Sequence, residues 1–353
     1  MEEEEQQSQV SDAFQCSGDH LRLPLRNLVQ GLREVASQLR EGESWKWDDF
    51  DMQFFWKTLD ECFKAISQEA TKLSLVFSKP PLPSVQDCQK LSAEIQKHVL
   101  NLVSVYYWLH KSQGLTLRRL VRDATIDVVE GVIQLLNVIL NTPLQSLSQD
   151  QLTSTGGVWE ACDHLSKIPK DNHEAVLSLM SSYSTIVEDA LEEMKQAQQT
   201  EDADPFSDIF EDDDSHLREN RDTYWSEEDK QVMAPCLALL KAAKACLRKV
   251  SGAVKTHGRV DSSQSITQLD DLCDITSEIS PSVDELALSL YPPMSYITVQ
   301  MNAESLASVL KKALEITKSS HVCPESESSW LQFLSGAIDH NMDKVKDLTQ
   351  SNS

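Results

Sequence analysis

Apolar residues recur along most of the chain at alternating intervals of four and three positions. One such stripe runs through Leu21, Leu25, Leu28, Leu32, Val35 and Leu39, and others begin near residues 59, 91, 117 and 176. After residue 230 the pattern resumes in four further segments and continues to Leu348. Because an α-helix has 3.6 residues per turn, each stripe lies on one helical face. The sequence therefore predicts a series of separate amphipathic helices.

Capping residues and prolines separate these stripes. The predicted helix starts are polar residues with an acid or amide three positions on, namely Ser84, Ser148, Asp171, Ser226, Ser282 and Ser329. Prolines at 80–81, 143, 169, 292–293 and 324 mark the predicted stops. Only the segment 296–299 resembles a strand, and it has no partner strand. We therefore predict an all-α protein made of two antiparallel helical bundles.

Negative charge is concentrated in two stretches of a chain whose formal net charge is −24. Residues 1–20 hold 6 acids and no Lys or Arg, and residues 201–229 hold 13 acids against 2 Arg. Such composition is typical of solvated segments beside folded bundles. The sequence predicts an acidic disordered tail over 1–17, an N-terminal helical bundle over 18–198, an acidic, disordered linker over 199–223 and a C-terminal helical bundle over 224–350.

Composition also excludes several classes of protein. The chain has only 10 Gly and 12 Pro, too few for hairpin-rich architectures, and its acidity argues against direct binding of nucleic acid. Eight scattered cysteines without a CxxC pair indicate reduced thiols. The first residues lack a secretory signal and no apolar run approaches ~18 residues, so we expect no membrane partner and an intracellular protein, cytosolic or nuclear.

No catalytic signature is present. The sequence lacks the motifs of P-loop proteins, dinucleotide-binding folds, serine hydrolases and zinc proteases. Cys162 and His164 are two positions apart, so on a helix they face away from each other and make a poor metal site. His98, inside an apolar stripe, is interpreted as a hydrogen-bonded core residue. We predict no catalytic residue, no cofactor, no metal site and no enzymatic activity.

An aromatic cluster occupies the sequence WKWDDFDMQFFW, residues 45–56, which holds six aromatic side chains. One helix face can bury about half of them. The others either fill the contact between the N-terminal helices or form an exposed patch for a partner. Trp45 and Trp47 are the candidate partner-binding residues of this cluster.

A second candidate lies in DPFSDIFEDDD, residues 204–214. Its three large apolar residues are spaced i, i+3 and i+4, and would share a face if the segment formed one helical turn. They either dock into the apolar groove of a partner or fold back onto a bundle. The candidate partner-binding residues here are Phe206, Ile209, Phe210, Asp212, Asp213 and Asp214.

Four strings of the sequence carry a resemblance to a known family. They are WKWDDFDMQFFWKTLDECF from Trp45, PPLPS from Pro80, DPFSDIFEDDD from Asp204 and RDTYWSEEDKQVMAPCLALLKAAKACL from Arg221. Together they resemble the cyclin-D-binding protein family, also called Grap and cyclin-D interacting proteins. The resemblance implies an all-helical, non-enzymatic regulator that restrains phosphorylation of the retinoblastoma protein and opposes cell-cycle progression. It implies D-type cyclins, helix-loop-helix transcription factors and a Grap-type adaptor as partners.

Two further sequence features bear on partner binding. Arg26–Leu28 and Arg118–Leu120 match the loose RxL pattern of cyclin ligands. The segment 204–206, Asp-Pro-Phe, resembles motifs of endocytic adaptors, so a vinculin-like cytoskeletal or endocytic adaptor is the alternative function. Because the stripes are predicted to be buried within their own bundles, we expect partners to bind bundle surfaces or the acidic linker.

Limited proteolysis of the native protein tests the predicted organisation. We expect the first cleavage within 201–222, where few apolar residues protect the backbone. Mass spectrometry of the first fragments locates the site. Early cleavage within 84–110 would show that the core has been misplaced.

Overall fold

The computed structural model is all-α, which confirms the predicted fold class. It describes residues 2–41, 50–142, 148–202 and 225–351, and these ranges contain α-helices, short 3-10 turns and no strand. None of the described helices is long and apolar enough to cross a membrane. The contacts between residues divide the chain into two units, Met1–Lys170 and Asp171–Ser353.

In its described residues, the first unit is built from five α-helices whose apolar faces meet. These helices are α1 (Glu2–Glu41), α2 (Met52–Val76), α3 (Val85–Trp108), α4 (Leu115–Asn141) and α5 (Gln149–Asp163). Helix α4 packs against α1 and α5, and α2 packs against α3 and α5. The predicted stripes supply the core, in which Leu59, Phe63 and Leu102 are at most 1% exposed.

The described part of the second unit contains six α-helices around one continuous apolar core. They are α6 (Asn172–Asp202), α7 (Glu227–His257), α8 (Ser263–Ser277), α9 (Ile279–Ser289), α10 (Tyr296–Ser319) and α11 (Ser329–Ser351). Helix α7 packs against α6 and α11, and α10 lies between α9 and α11. Every one of the six helices places apolar residues in the shared core.

Helix α6 belongs to the second unit, whereas the sequence predicted that residues 18–198 form one bundle. Its stripe, which includes Val176, Met180 and Val187, is buried with the apolar residues of α7 to α11. The division between the units falls at the turn around residue 170, and the acidic stretch after Asp202 connects two helices of the same unit. The boundary between the two units is therefore set by apolar burial, because the stripe of α6 is covered by this core.

The N-terminal segment also differs from the prediction. Helix α1 begins at Glu2, so the backbone of residues 2–17 is helical where the sequence predicted a disordered acidic tail. Four glutamates, at positions 2–5, occupy its first turn.

Most predicted helix starts coincide with observed caps. Ser84 and Ser226 form capping boxes with Asp87 and Asp229, and the Asp171 carboxylate accepts from the Glu174 backbone N–H at 2.9 Å. The start predicted at Ser282 was wrong, because α9 begins three residues earlier and tolerates a proline, Pro281, in its first turn.

The strand-like segment 296–299 is the first turn of α10. The Ser295 hydroxyl accepts from the Thr298 backbone N–H and so caps this helix. The β-branched and aromatic residues of the segment did not decide its structure, because Val299 is fully buried in a helical stripe with Ala303 and Leu306.

The end of α7 is held by a close contact around Gly258. The Val254 carbonyl accepts hydrogen bonds from the Gly258 backbone N–H at 2.7 Å and from the His173 ring Nε2 at 3.0 Å. A Cβ at position 258 would lie 2.5 Å from the Val254 oxygen and 2.6 Å from His173 Cδ2. The residue that follows the helix therefore has to be glycine.

We expect Gly258→Ala to lower the free energy of unfolding by about 1–3 kcal/mol, because the added methyl overlaps the Val254 carbonyl and the His173 ring. Gly252→Ala is the matched control. A Cβ at Gly252, in the interior of α7, meets nothing within 4 Å. This variant should gain about 0.5–1 kcal/mol through helix propensity. Urea unfolding of both variants measures the difference, and equal stability of the two would contradict the packing described here.

Candidate partner-binding surface

The structure leaves the sequence-predicted candidates untested. Trp45 and Trp47 lie outside the described residues, and so do Phe206, Ile209, Phe210, Asp212, Asp213 and Asp214. Their proposed role in partner binding remains a prediction. The later part of the aromatic cluster, residues 50–56, is described.

Two aromatic residues of the cluster fill internal contacts of the first unit. Phe55 is 1% exposed and packs edge-on against the Trp56 ring, with centroids 5.2 Å apart. Trp56 Nε1 donates to the Lys170 carbonyl at 3.0 Å, and Lys170 Nζ lies 4.0 Å from the Trp56 ring centroid. This combination of a hydrogen bond and a cation–π contact attaches the end of the unit, at Lys170, to the start of α2.

Phe54 is the exposed aromatic residue of the described part of the cluster, residues 50–56. It is 57% exposed and stacks on Trp108, with centroids 6.0 Å apart and ring planes inclined by 11°. We call this pair the aromatic surface. In the described part of the cluster, Phe55 and Trp56 fill internal contacts, as one of the two sequence alternatives predicts, and Phe54 is exposed. Whether an exposed patch of this cluster binds a partner stays a prediction.

Local structure explains why Phe54 is presented in this way. Asp51 caps α2, and its carboxylate accepts from the backbone N–H groups of Gln53 and Phe54 at 2.8 and 3.1 Å. The cap fixes Phe54 in the first turn of α2. Because α2 and α3 are antiparallel neighbours, this first turn lies beside the last residue of α3, Trp108.

A buried arginine supports the end of α3. Arg118 is 4% exposed, its guanidinium lies 4.6 Å from the Tyr106 ring centroid, and Nη1 donates to the Leu109 carbonyl. Burial lowers the pKa of Arg118, although a guanidinium keeps its charge at any physiological pH. Trp108 and Arg118 were not predicted as site residues; the signal available in the sequence was the aromatic run 106–108 at the end of a stripe.

Neither RxL match is presented for docking on a cyclin. In the first, Leu28 is 5% exposed and belongs to the core of the first unit. In the second, the Arg118 side chain is buried under the contacts just described. An RxL ligand requires both the arginine and the leucine to be accessible, so these segments are structural in the folded chain.

His98 lies at the edge of the core of the first unit. Its Nε2 is 3.8 Å from a Glu94 carboxylate oxygen and 4.0 Å from one of Glu69. Glu69, which is 7% exposed, is paired with Lys72 at 2.5 Å. The surroundings are the apolar side chains of Ile66, Leu73 and Ile95. The ring lies beside the apolar stripe as predicted, but it is partly exposed, and both carboxylate distances are longer than a hydrogen bond.

Cys162 lines a groove of about 610 Å³ between α2 and the end of α5, together with Lys64 and Asp163. Burial, with a smaller contribution from Asp163, raises the pKa of its thiol to about 12. A thiol with so high a pKa is a poor nucleophile, because the thiolate is the reactive form. Among the described residues, no group of three or more His, Cys, Asp or Glu side chains is arranged to hold a metal ion.

Comparison with known families matches both halves of the chain. The family described as Grap2 and cyclin-D-interacting, N-terminal, matches residues 58–200, and Grap2 and cyclin-D-interacting, C-terminal, matches residues 210–315. The N-terminal match extends across the turn at residue 170 into α6. It therefore ends close to the acidic stretch, where the sequence also placed its boundary.

The chain is similar over nearly its whole length to curated proteins of vertebrates. It is 59% identical to the Cyclin-D1-binding protein 1 homolog of Xenopus laevis, over 93% of this chain and 98% of that protein. The corresponding homolog of Danio rerio is 55% identical, over 94% and 97%. Cyclin-D1-binding protein 1 of Homo sapiens is 46% identical, over 93% of each chain.

We expect Arg118→Lys to lower the free energy of unfolding by about 1–3 kcal/mol. An ammonium cannot provide the planar group that lies over Tyr106 and donates to the Leu109 carbonyl. Arg33→Lys, at an exposed position of α1, is the matched control and should change stability by less than about 0.5 kcal/mol. Guanidinium unfolding compares the two. A loss in R118K no greater than that in R33K would mean that the arginine does not support the end of α3.

Proposed function

The chain belongs to the Grap2 and cyclin-D-interacting family, and from that membership we propose that it is a non-enzymatic regulator that binds a D-type cyclin. The observation that carries the proposal is the near full-length similarity to relatives named for binding cyclin D1. The family matches lie in both halves of the chain, so the similarity extends beyond one module. The relatives' named partner is the reason for testing a D-type cyclin first.

We further propose that binding restrains phosphorylation of the retinoblastoma protein and so opposes cell-cycle progression. Helix-loop-helix transcription factors and a Grap-type adaptor are proposed as additional partners, in both nucleus and cytoplasm. The charge of the chain supports action on proteins rather than on DNA, since a net charge of −24 repels phosphate. Regulation of transcription then proceeds through contact with the factors themselves.

The proposed cyclin-binding residues are Phe206, Ile209 and Phe210 in the acidic segment, with Asp212, Asp213 and Asp214 beside them. The three apolar side chains act as anchors that a partner groove buries. The aspartates increase the rate of association with a basic surface. Trp45 and Trp47 are proposed as a second contact, because they continue the aromatic cluster whose exposed member, Phe54, is part of the aromatic surface.

Calorimetry with a purified D-type cyclin tests the anchors. We expect F206A/I209A/F210A to weaken the complex by roughly 1–3 kcal/mol while the melting temperature stays almost unchanged, because the anchors contact the partner and not a bundle core. The variant F333A is the matched control. Phe333 is 75% exposed on α11 and is not among the proposed anchors. Its replacement should leave the affinity unchanged.

The charges are tested separately by D212N/D213N/D214N. This variant should lower the association rate at low salt, and the difference from the unmodified chain should fade as salt rises. A clear drop in melting temperature of the triple alanine variant with cyclin affinity intact would assign the anchors to a core instead. Failure of the unmodified chain to bind any D-type cyclin, together with binding to an endocytic appendage domain, would favour the adaptor function suggested by Asp204-Pro205-Phe206.

A further inference from the structure

Three large apolar side chains are exposed at the corner where α9 meets α10. Leu288 is 71% exposed, Ile297 is 70% exposed and Met301 is 64% exposed. We call these three residues the α9–α10 corner. Contiguous exposed apolar patches mark sites of interaction, whereas single exposed apolar residues are ordinary surface.

Each of the three residues lies opposite the buried stripe of its own helix. Positions two apart on a helix point about 200° apart. Met301 is two positions from Val299 and from Ala303, and both of these are fully buried. Ile297 is four positions before Met301 and shares its face, and Leu288 is two positions after the buried Leu286. Folding of the second unit therefore leaves these side chains uncovered.

The two helices are held side by side, so their outward faces adjoin. Asn302 Nδ2 donates to the Glu285 carbonyl at 2.9 Å, which joins the second turn of α10 to α9. The connection between the helices is held by contacts at the start of α7: Trp225, two residues before α7, donates from Nε1 to the Leu290 carbonyl at 2.6 Å, and the Tyr296 hydroxyl donates to Asp229 of α7 at 2.9 Å. The corner is thus a preformed surface, which lowers the entropic cost of binding.

Negative charge surrounds the corner. Asp284 and Glu285 are exposed on α9, and Glu193 of α6 accepts from the Tyr291 hydroxyl at 3.4 Å. Burial and the Glu193 charge together raise the pKa of Asp284, so these acids are close enough to repel each other.

The nearby lysines do not cancel this charge. Lys346 pairs with Glu304 at 3.3 Å, and Lys230 pairs with Glu227 at 3.6 Å. Each lysine therefore neutralises an acid of its own, and the carboxylates of α6 and α9 remain in excess.

We propose that the α9–α10 corner is a docking site for an amphipathic helix of a partner protein, one with apolar residues spaced over two turns and Lys or Arg on either side. The apolar residues of such a helix cover Leu288, Ile297 and Met301, as in the general mode of a helix bound to an apolar surface. Its basic residues meet the carboxylates of α6 and α9. This inference does not rest on the binding of a cyclin.

Charge also distinguishes this occupant from two others. The chain's own segment 203–224 is strongly acidic and joins α7 at Trp225, close to the corner, so the surrounding carboxylates oppose its docking there. A second copy of the chain would place the same acidic surroundings against themselves across a two-fold axis. A basic partner helix is the occupant for which both the apolar and the electrostatic terms are favourable.

Two synthetic helical peptides test the proposal with the full-length chain. Both carry leucines at positions i, i+4 and i+7; one is flanked by lysine and arginine, the other by glutamate. Fluorescence anisotropy of the labelled peptides should show binding of the basic peptide only. Its affinity should fall as salt rises, and I297S/M301S should weaken it at least about tenfold.

F333S is the matched control, because Phe333 is equally exposed but lies on α11 away from the corner. It should bind the basic peptide like the unmodified chain. The substituted side chains are all exposed, so circular dichroism and melting temperature should be unchanged in both variants. Glu285→Lys should weaken binding of the basic peptide without lowering the stability of the protein.

Other outcomes would overturn the proposal. The corner would not recognise a basic helix if both peptides bound equally. The same would follow if I297S/M301S and F333S lost affinity for the basic peptide to the same extent. If F206S/I209S/F210S bound the basic peptide more tightly than the unmodified chain, the chain's own acidic segment would be identified as the occupant of the corner. Sedimentation that shows dimers of the unmodified chain and monomers of I297S/M301S would identify a second copy.

Discussion

The packing of α6 against α7, α8 and α9 determines how the second half of the chain is organised. Its stripe through Val176, Met180 and Val187 has to be covered, and the core of the second unit covers it. The stretch between Asp202 and Trp225 consequently starts and ends on helices of one unit. The charge pattern alone does not show this, because an acidic stretch looks the same whether it joins two domains or two helices.

The sequence predicts the helices well because burial and capping act over short distances. The stripes became the buried faces, and Ser84 and Ser226 start their helices as expected. Prediction failed where a contact between residues that are distant in sequence determines the structure. The apolar stripe of α6 does not specify which bundle covers it, and the aromatic stack of Phe54 on Trp108 joins residues that are distant in sequence. The RxL match at 118–120 lies in a predicted helix, but the sequence did not show that the Arg118 side chain itself is buried.

Burial of the apolar stripes in the two cores restricts where partners bind. A dimerising helix-loop-helix would have to expose an apolar seam, but in the described helices the stripes are buried in the two cores. The exposed apolar side chains of the described helices, such as Phe54 in the first unit and Met301 in the second, lie beside or opposite the stripes. Single exposed apolar residues are common on protein surfaces and contribute little to folding, so the cores do not constrain them.

The energetics of folding also bear on the acidic segment between α6 and α7. It inserts the 22 residues 203–224 between two helices that pack directly on each other. The entropic cost of closing a loop grows only as the logarithm of its length, about 0.6 kcal/mol for each doubling. The second unit therefore tolerates this insertion with a small loss of stability, and a connection of a few residues would serve the fold as well. The length of the segment is therefore not set by the packing of α6 on α7, whose contacts lie within the described helices.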